Sequence, residues 1–301
     1  MDTHPARPLA PQSENWVGLG LVTLSAAGFA TLAIFGKLAF ASGMSLPTML
    51  ALRFSGAALL FWALLLGRSG ASGLRLGRPT IGRLLLMGGI GYAVQSALFL
   101  GAVAFIPAAL TGMLLYTYPA WVTLLAWWLD GDRPDRRRWT ALALALAGTT
   151  LIAGSPDGQL HPLGLALALA SGVWYSGYIV LGNRVVAGVP PLVGSAWVAV
   201  GAMTSFTVVG LLLGQIRFTF TQPDGALAML GMVLLATVIP IVAFLAGLQR
   251  LGPARTAILS TLEPVCTVVL AVALLGERLT LTQAIGSALV LLAVALLQTR
   301  R

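Results

Sequence analysis

The sequence predicts an all-α integral membrane protein of ten transmembrane helices, arranged as two inverted five-helix repeats with both termini cytoplasmic. Three observations predict it. The 301 residues are 58% hydrophobic and 9% charged, against ~25% charged in soluble domains. Apolar runs long enough to cross a bilayer, which takes ~20 residues per helix, recur from one end of the chain to the other. The chain also matches itself when displaced by 145–146 residues. No length remains for a separate soluble domain. Helices are required because hydrocarbon offers backbone groups no hydrogen-bonding partner, and the runs are continuous rather than alternating as in a barrel strand.

In chain order, residues 1–15 form a polar tail carrying Pro5, Pro8 and Pro11 and a net charge of −1, unlike the basic start of a signal peptide. The first helix covers 16–41; despite the A-x-A pattern of Ala39 and Ala41, its apolar run is too long for a signal sequence. Gly, Pro or charged breaks separate the next runs at 46–66, 84–104, 108–129 and 137–153, which complete a first repeat of 16–153. An outer linker, 154–162, leads to the second repeat, 163–298, with helices at 163–183, 191–214, 226–248, 254–275 and 281–298. Residues 299–301 form a cytoplasmic C-terminus.

The formal charge of +9 follows the same division. Drawn onto ten spans, 14 of the 18 Lys and Arg residues fall on the side of the N-terminus, among them Arg75, Arg78, Arg83, Arg133 and Arg136 to Arg138. Positive loops stay in the cytoplasm, so both termini are placed inside. The charges form no basic face, and nucleic acid is not expected as a partner. Cys266 is the only cysteine, which excludes an intramolecular disulfide and metal sites built from several thiolates. Neither metal nor cofactor is expected.

In the self-match, Gly18 falls on Gly164, Ser25 on Ser171, Phe29 on Tyr175, Gly36 on Gly182, Thr111 on Thr256, Pro119 on Pro264 and Gly131 on Gly276. Five helices per copy force the second copy to enter the membrane in the opposite sense, an architecture that places substrate sites near the midplane between the halves. The stretch Leu262-Glu263-Pro264-Val265, followed by Leu275-Gly276-Glu277-Arg278-Leu279-Thr280, has a weaker echo in Tyr118-Pro119-Ala120 and Gly131-Asp132-Arg133. These motifs resemble the drug/metabolite transporter superfamily, EamA family, over nearly the whole chain. Within it, helix length and aromatic content are similar to YddG-type exporters of aromatic amino acids and related metabolites. The resemblance implies export of small solutes across a bacterial inner membrane.

Candidate transport residues come from breaks, rings and buried charges. Pro119 and Pro264 are matched helix breaks about ten residues into their spans, each freeing a backbone carbonyl; packing alone is the alternative. Pro240 has Gln95 as its counterpart and so no proline partner. Tyr92, Tyr116, Tyr118, Trp121, Trp174, Tyr175 and Tyr178 lie near the middle of their spans rather than at the interfaces where such rings gather. With Gln95 they are candidates for a cavity lining suited to a solute with an apolar side chain, core filling being the other reading. Glu263 is the sole carboxylate in a span interior. Such an acid is functional by default, and proton coupling competes there with a structural or gating role. Arg53, about seven residues into the second helix, either snorkels, pairs with Glu263 or holds a carboxylate.

An intramembrane enzyme lacks its parts: there is no H-E-x-x-H or G-x-S-x-G, and the histidines are His4 in the tail and His161 in the linker. A passive channel or facilitator stays open as the alternative to a secondary transporter. The expected partners are a small solute and the lipid bilayer, and no pair of small residues singles out a dimer interface, so a monomer or weak homodimer is expected.

Overall fold

The computed structural model describes residues 16–69, 76–130, 134–154, 160–216 and 223–298. The expected tail 1–15, the middle of the linker 154–162, the C-terminal 299–301 and the motif residues Asp132 and Arg133 lie outside the described residues. Every regular element among those described is helical. The first half runs α1 (Trp16–Ala41), α2 (Leu46–Ser69), α3 (Arg78–Leu86), a π-helical turn Met87–Tyr92, α4 (Ala93–Phe105), α5 (Ala108–Leu115), α6 (Tyr118–Asp130) and α7 (Arg136–Ala153). The second runs α8 (Pro162–Val185), α9 (Pro191–Leu212), α10 (Pro223–Val233), a π turn Leu234–Val238, α11 (Ile239–Leu251), α12 (Pro253–Ser260), α13 (Leu262–Leu275) and α14 (Leu281–Gln298).

Among the described residues, eight helical stretches are long and apolar enough to cross a bilayer, and Leu281–Leu297 is apolar but shorter. The stretch Arg78–Phe105 begins before the expected 84, because Pro79 in its first turn favours a helix start and charge alone does not stop a helix outside hydrocarbon. Other ends have local causes. Asp135 opens α7 by accepting from the Arg138 amide at 2.8 Å. Thr280 and Gln283 cap each other's amides at the start of α14, at 3.1 and 3.2 Å. Gly276 ends α13 in the left-handed region at φ 64°, where it turns Glu277 back so that its amide donates to Ala271 O at 3.2 Å.

The burial pattern is that of a bundle whose solvent is lipid. α1 buries Gly18, Ser25, Ala26, Ala30, Ala33, Gly36 and Ala39, whereas Leu59, Leu86, Leu211, Leu212, Leu230 and Leu281 face outward. Lipid tails are as apolar as leucine, so association rests on close backbone approach rather than on a hydrophobic stripe. Where α7 meets α14, a Cβ on Gly148 would lie 2.5 Å from Gly286 O, and one on Gly286 2.6 Å from Gly148 O. Contacts repeat between the halves: α1 packs along α11 as α8 packs along α4, while α2 pairs with α9 and α7 with α14. A cluster including Ala33, Met44, Met49, Leu50, Val103, Ala108 and Ala109 fills the bundle toward the Ala41 end of α1.

Candidate functional site

Between the halves lies a cavity of about 550 Å³, within the ~300–1,000 Å³ typical of small-molecule sites. Its wall is built from the middle of α1 (Ser25, Phe29), from α2 (Arg53), from the first π turn and α4 (Tyr92, Gln95), from α5 and the break after it (Leu115, Tyr116), and from α6 and α8 (Tyr118, Tyr175). The second half adds Phe244, Leu248, Thr256, Ala257, Ser260, Glu263 and Thr267. Toward the Ala41 end of α1 the lining meets the packed cluster; toward the Trp16 end it continues to Leu248 and Thr256.

Seven of the residues expected from sequence therefore share one wall: Tyr92, Gln95, Tyr116, Tyr118, Tyr175, Arg53 and Glu263. The rings form a connected series, with Tyr116 against Tyr118 at 5.8 Å, Tyr118 edge-on to Tyr175 at 4.9 Å, and Tyr175 stacked on Tyr178 at 6.1 Å. Tyr178 continues that series to Tyr92 at 5.6 Å from outside the lining. Trp121 also lies outside it, with its indole N–H directed to Thr117 Oγ1 at 3.3 Å. Trp174 is 39% exposed and outside the lining, and its indole N–H donates to Gly91 O at 2.8 Å. Gly91 sits in the π turn, where the shifted register disturbs the ordinary carbonyl pairing. Trp174 thus braces that turn, one residue away in sequence from a cavity residue.

The matched prolines stand just after matched breaks. α5 and α6 are separated at Tyr116 and Thr117, α12 and α13 at Thr261. Pro264 cannot donate to Ser260 O, and the Tyr116 hydroxyl takes that carbonyl at 3.3 Å. The same hydroxyl lies within hydrogen-bonding reach of the Glu263 carboxylate. Tyr116 thereby ties the break of the first half to the break and the acid of the second.

A second matched pair was not visible as a proline pair. Pro240 lacks an N–H for Ala236 O, and just before it the helix widens into the turn Leu234–Val238. Its counterpart is the glycine-rich turn Met87–Tyr92, which packs so closely on α9 that a Cβ on Gly88 would lie 2.0 Å from Val198 O. Facing the second turn from α1, a Cβ on Gly28 would lie 2.7 Å from Leu235 O. Gly28 and Trp174 are 146 residues apart, so both turns are braced from the same register of the two repeats.

Arg53 neither snorkels nor pairs with Glu263. It is 1% exposed, its Nε donates to Thr237 Oγ1 at 3.0 Å, and its guanidinium carbon stands 4.9 Å from the centre of the Phe54 ring. Two further cavity atoms, Ser25 Oγ and Gln95 Oε1, are buried without a protein partner. An apolar cavity with unsatisfied polar atoms accommodates a solute carrying polar groups of its own.

Sequence reasoning also missed Glu277 as a site residue. Its Oε1 and Oε2 accept from the amides of Ala108 and Ala109, at 2.7 and 3.0 Å, so a carboxylate of the second half caps α5 of the first. Lys37, near the Ala41 end of α1, is close enough for a charge interaction with it. Ser45 and Thr48 donate to Gln215 O at 2.8 and 2.9 Å and also join the halves. The motif Leu275-Gly276-Glu277 carried the signal, but not the partner 168 residues away.

The sequence model of the EamA-like transporter family matches residues 16–154 and again 162–299. An uncharacterized transporter of Synechocystis sp. is 30% identical over 229 residues, 73% of this chain and 67% of the relative. One of Archaeoglobus fulgidus is 28% identical over 221 residues, 72% of this chain and 76% of the relative. A solved crystal structure superposes with a TM-score of 0.63 at 22% identity, over 93% of this chain and 95% of the other. That likeness speaks to the fold alone.

Proposed function

Because the chain belongs to the EamA-like transporter family, we propose that it exports small amphipathic metabolites, aromatic amino acids among them, by alternating access across a bacterial inner membrane. It is a multi-pass membrane transporter for small solutes. Ten spans in two inverted repeats, with both termini cytoplasmic, complete the reading; the 14 to 4 distribution of Lys and Arg supports that orientation.

The observation that carries the proposal is the cavity, with Tyr92, Tyr116, Tyr118 and Tyr175 in its wall beside one guanidinium and one carboxyl. Rings stack on an apolar side chain, while the charged groups and the orphaned oxygens of Ser25 and Gln95 suit an amphoteric end. Closure toward the Ala41 end and extension toward the Trp16 end correspond, in that orientation, to a cytoplasm-facing state. Opening to the outside requires release of Glu277 from α5 and of Ser45 and Thr48 from Gln215. The matched breaks and π turns are the points where the helices yield. Glu263, in the cavity wall beside the break at Thr261, is the group we assign to proton coupling or gating.

The test is counterflow in proteoliposomes preloaded with phenylalanine, with labelled phenylalanine outside, run with and without a proton gradient. Accumulation above equilibrium supports a transporter. Equilibration that never overshoots makes the protein a passive facilitator and overturns alternating access.

A further inference from the structure

Arg53 stands in the cavity wall, and the reading above gives it no defined partner in the solute. It lies within α2, 1% exposed, where an unpaired charge is costly to bury. Among the described residues no carboxylate forms an ion pair with it. Its neighbours are neutral: the Thr237 hydroxyl at 3.0 Å, the Phe54 ring, and the Tyr92 hydroxyl within hydrogen-bonding reach. A guanidinium has five N–H donors in a rigid fork, and beyond Thr237 and Tyr92 no other acceptor for Arg53 is found among the described residues. The side chain forms part of the cavity wall, as does Gln95 with its unpartnered buried oxygen.

The group that holds Arg53 and the second hydroxyl beside it are repeat-mates. Tyr92 ends the first π turn, Thr237 lies in the second, and they stand 145 residues apart, the spacing of the repeat. Thr237 fixes its own hydroxyl by donating to Met232 O at 2.8 Å, which leaves the oxygen's lone pair for Arg53. One cation is therefore suspended between the equivalent turns of both halves, with its unused donors beside the cavity.

We propose that Arg53 is the receptor for the carboxylate of the transported solute, and that Thr237 and Tyr92, from the two π turns, are its positioning residues. The inference rests on the transporter reading above and names the chemical group that reading leaves open. A carboxylate matches the fork geometry of a guanidinium and supplies the counter-charge that the protein withholds. A phosphate dianion fits less well: among the described residues Arg53 is the sole Lys or Arg in the cavity lining, and Glu263 shares that lining. Because the receptor hangs between the two turns, its occupancy is felt by both halves at once, which a static brace would not achieve.

The experiment measures binding by the full-length protein in nanodiscs of three probes: phenylalanine, 3-phenylpropionate, which lacks the amine, and phenethylamine, which lacks the carboxylate. The wild type is expected to bind both carboxylates at least tenfold more tightly than phenethylamine. Arg53→Gln should abolish that preference, Arg53→Lys should retain part of it, and Thr237→Val should weaken phenylalanine binding several-fold while Thr237→Ser restores it. If Arg53→Gln fails to fold, the Lys, Val and Ser variants decide by the same ratios. A preference that survives in Arg53→Gln, or equal binding of phenethylamine by the wild type, overturns the inference and leaves the transporter reading standing. A wild type that binds none of the three overturns the amino-acid reading and the inference with it.

Discussion

If Glu277 holds the bundle shut toward the Ala41 end, removing it should open that end by a calculable amount. Its carboxylate accepts from two amides in the first turn of α5, at 2.7 and 3.0 Å. Hydrogen bonds to a charged group contribute ~1.5–3 kcal/mol each in net terms. Water reaches this end of the bundle and replaces part of the loss in the open state, so about 2 kcal/mol for the pair is the reasonable figure. That is ~30-fold in the ratio of open to closed forms. Glu277→Gln keeps one acceptor oxygen but no charge, and about 1 kcal/mol, or ~fivefold, is expected. Since Cys266 is the only cysteine, Cys266→Ser provides a clean background for a reporter at Met44, which is buried in the closed cluster. The labelling rate of Met44→Cys by a membrane-impermeant maleimide should rise ~30-fold with Glu277→Ala and ~fivefold with Glu277→Gln, if the rate follows the open population. The bonds from Ser45 and Thr48 to Gln215 remain, so the closed form persists as a competitor. Equal labelling rates in all three proteins would refute the latch.

Other consequences are local. Tyr116→Phe removes the hydroxyl that takes Ser260 O and reaches Glu263; counterflow should fall several-fold while thermal stability drops by only ~1 kcal/mol. Tyr175→Ala should weaken phenylalanine binding at least tenfold, whereas Trp174→Phe, which loses only the bond to Gly91 O, should leave binding within twofold and lower the melting temperature slightly; equal effects on binding would contradict the assignment of their faces. Gly201→Ala would place a Cβ 2.3 Å from Leu85 O, and the variant should be largely lost during detergent extraction, while Gly20→Ala, with nothing within 4 Å, should behave as wild type in size-exclusion chromatography.

Position along each helix was legible in the sequence; facing was not. Tyr116, Tyr118, Tyr175, Gln95 and Glu263 could be placed near the middle of their helices by counting, and all of them reach the cavity wall. Trp174 was counted in the same way and faces outward. In a soluble helix the polar face identifies the exposed side, but here lipid accepts leucine as readily as the interior does, and no amphipathic stripe separates the two faces. Matched breaks were legible only where both members carry a proline. Pro119 and Pro264 form such a pair, whereas the π turn before Pro240 is mirrored by one built on Gly88-Gly89-Ile90-Gly91, which reaches the same register through close packing rather than a missing donor. Contacts between the halves, from Glu277 to Ala108 and from Arg53 to Thr237, leave no periodic trace in the sequence.

The distinction between scaffold and site follows from where the two copies agree. Equivalent positions carry the prolines after the breaks and the π turns, features that let helices bend in either copy. The chemistry sits where equivalence fails. Glu263 stands opposite Tyr118, Gln95 opposite Pro240, and Tyr92 opposite Thr237. A duplicated bundle with identical halves would offer a solute the same groups from both sides, and an amphoteric molecule bound there would have two equal orientations. One guanidinium from the first half and one carboxyl from the second remove that degeneracy. In the proposed cycle, symmetry in the bending elements lets the cavity open toward either side, and asymmetry in its wall gives the solute a single pose while it does.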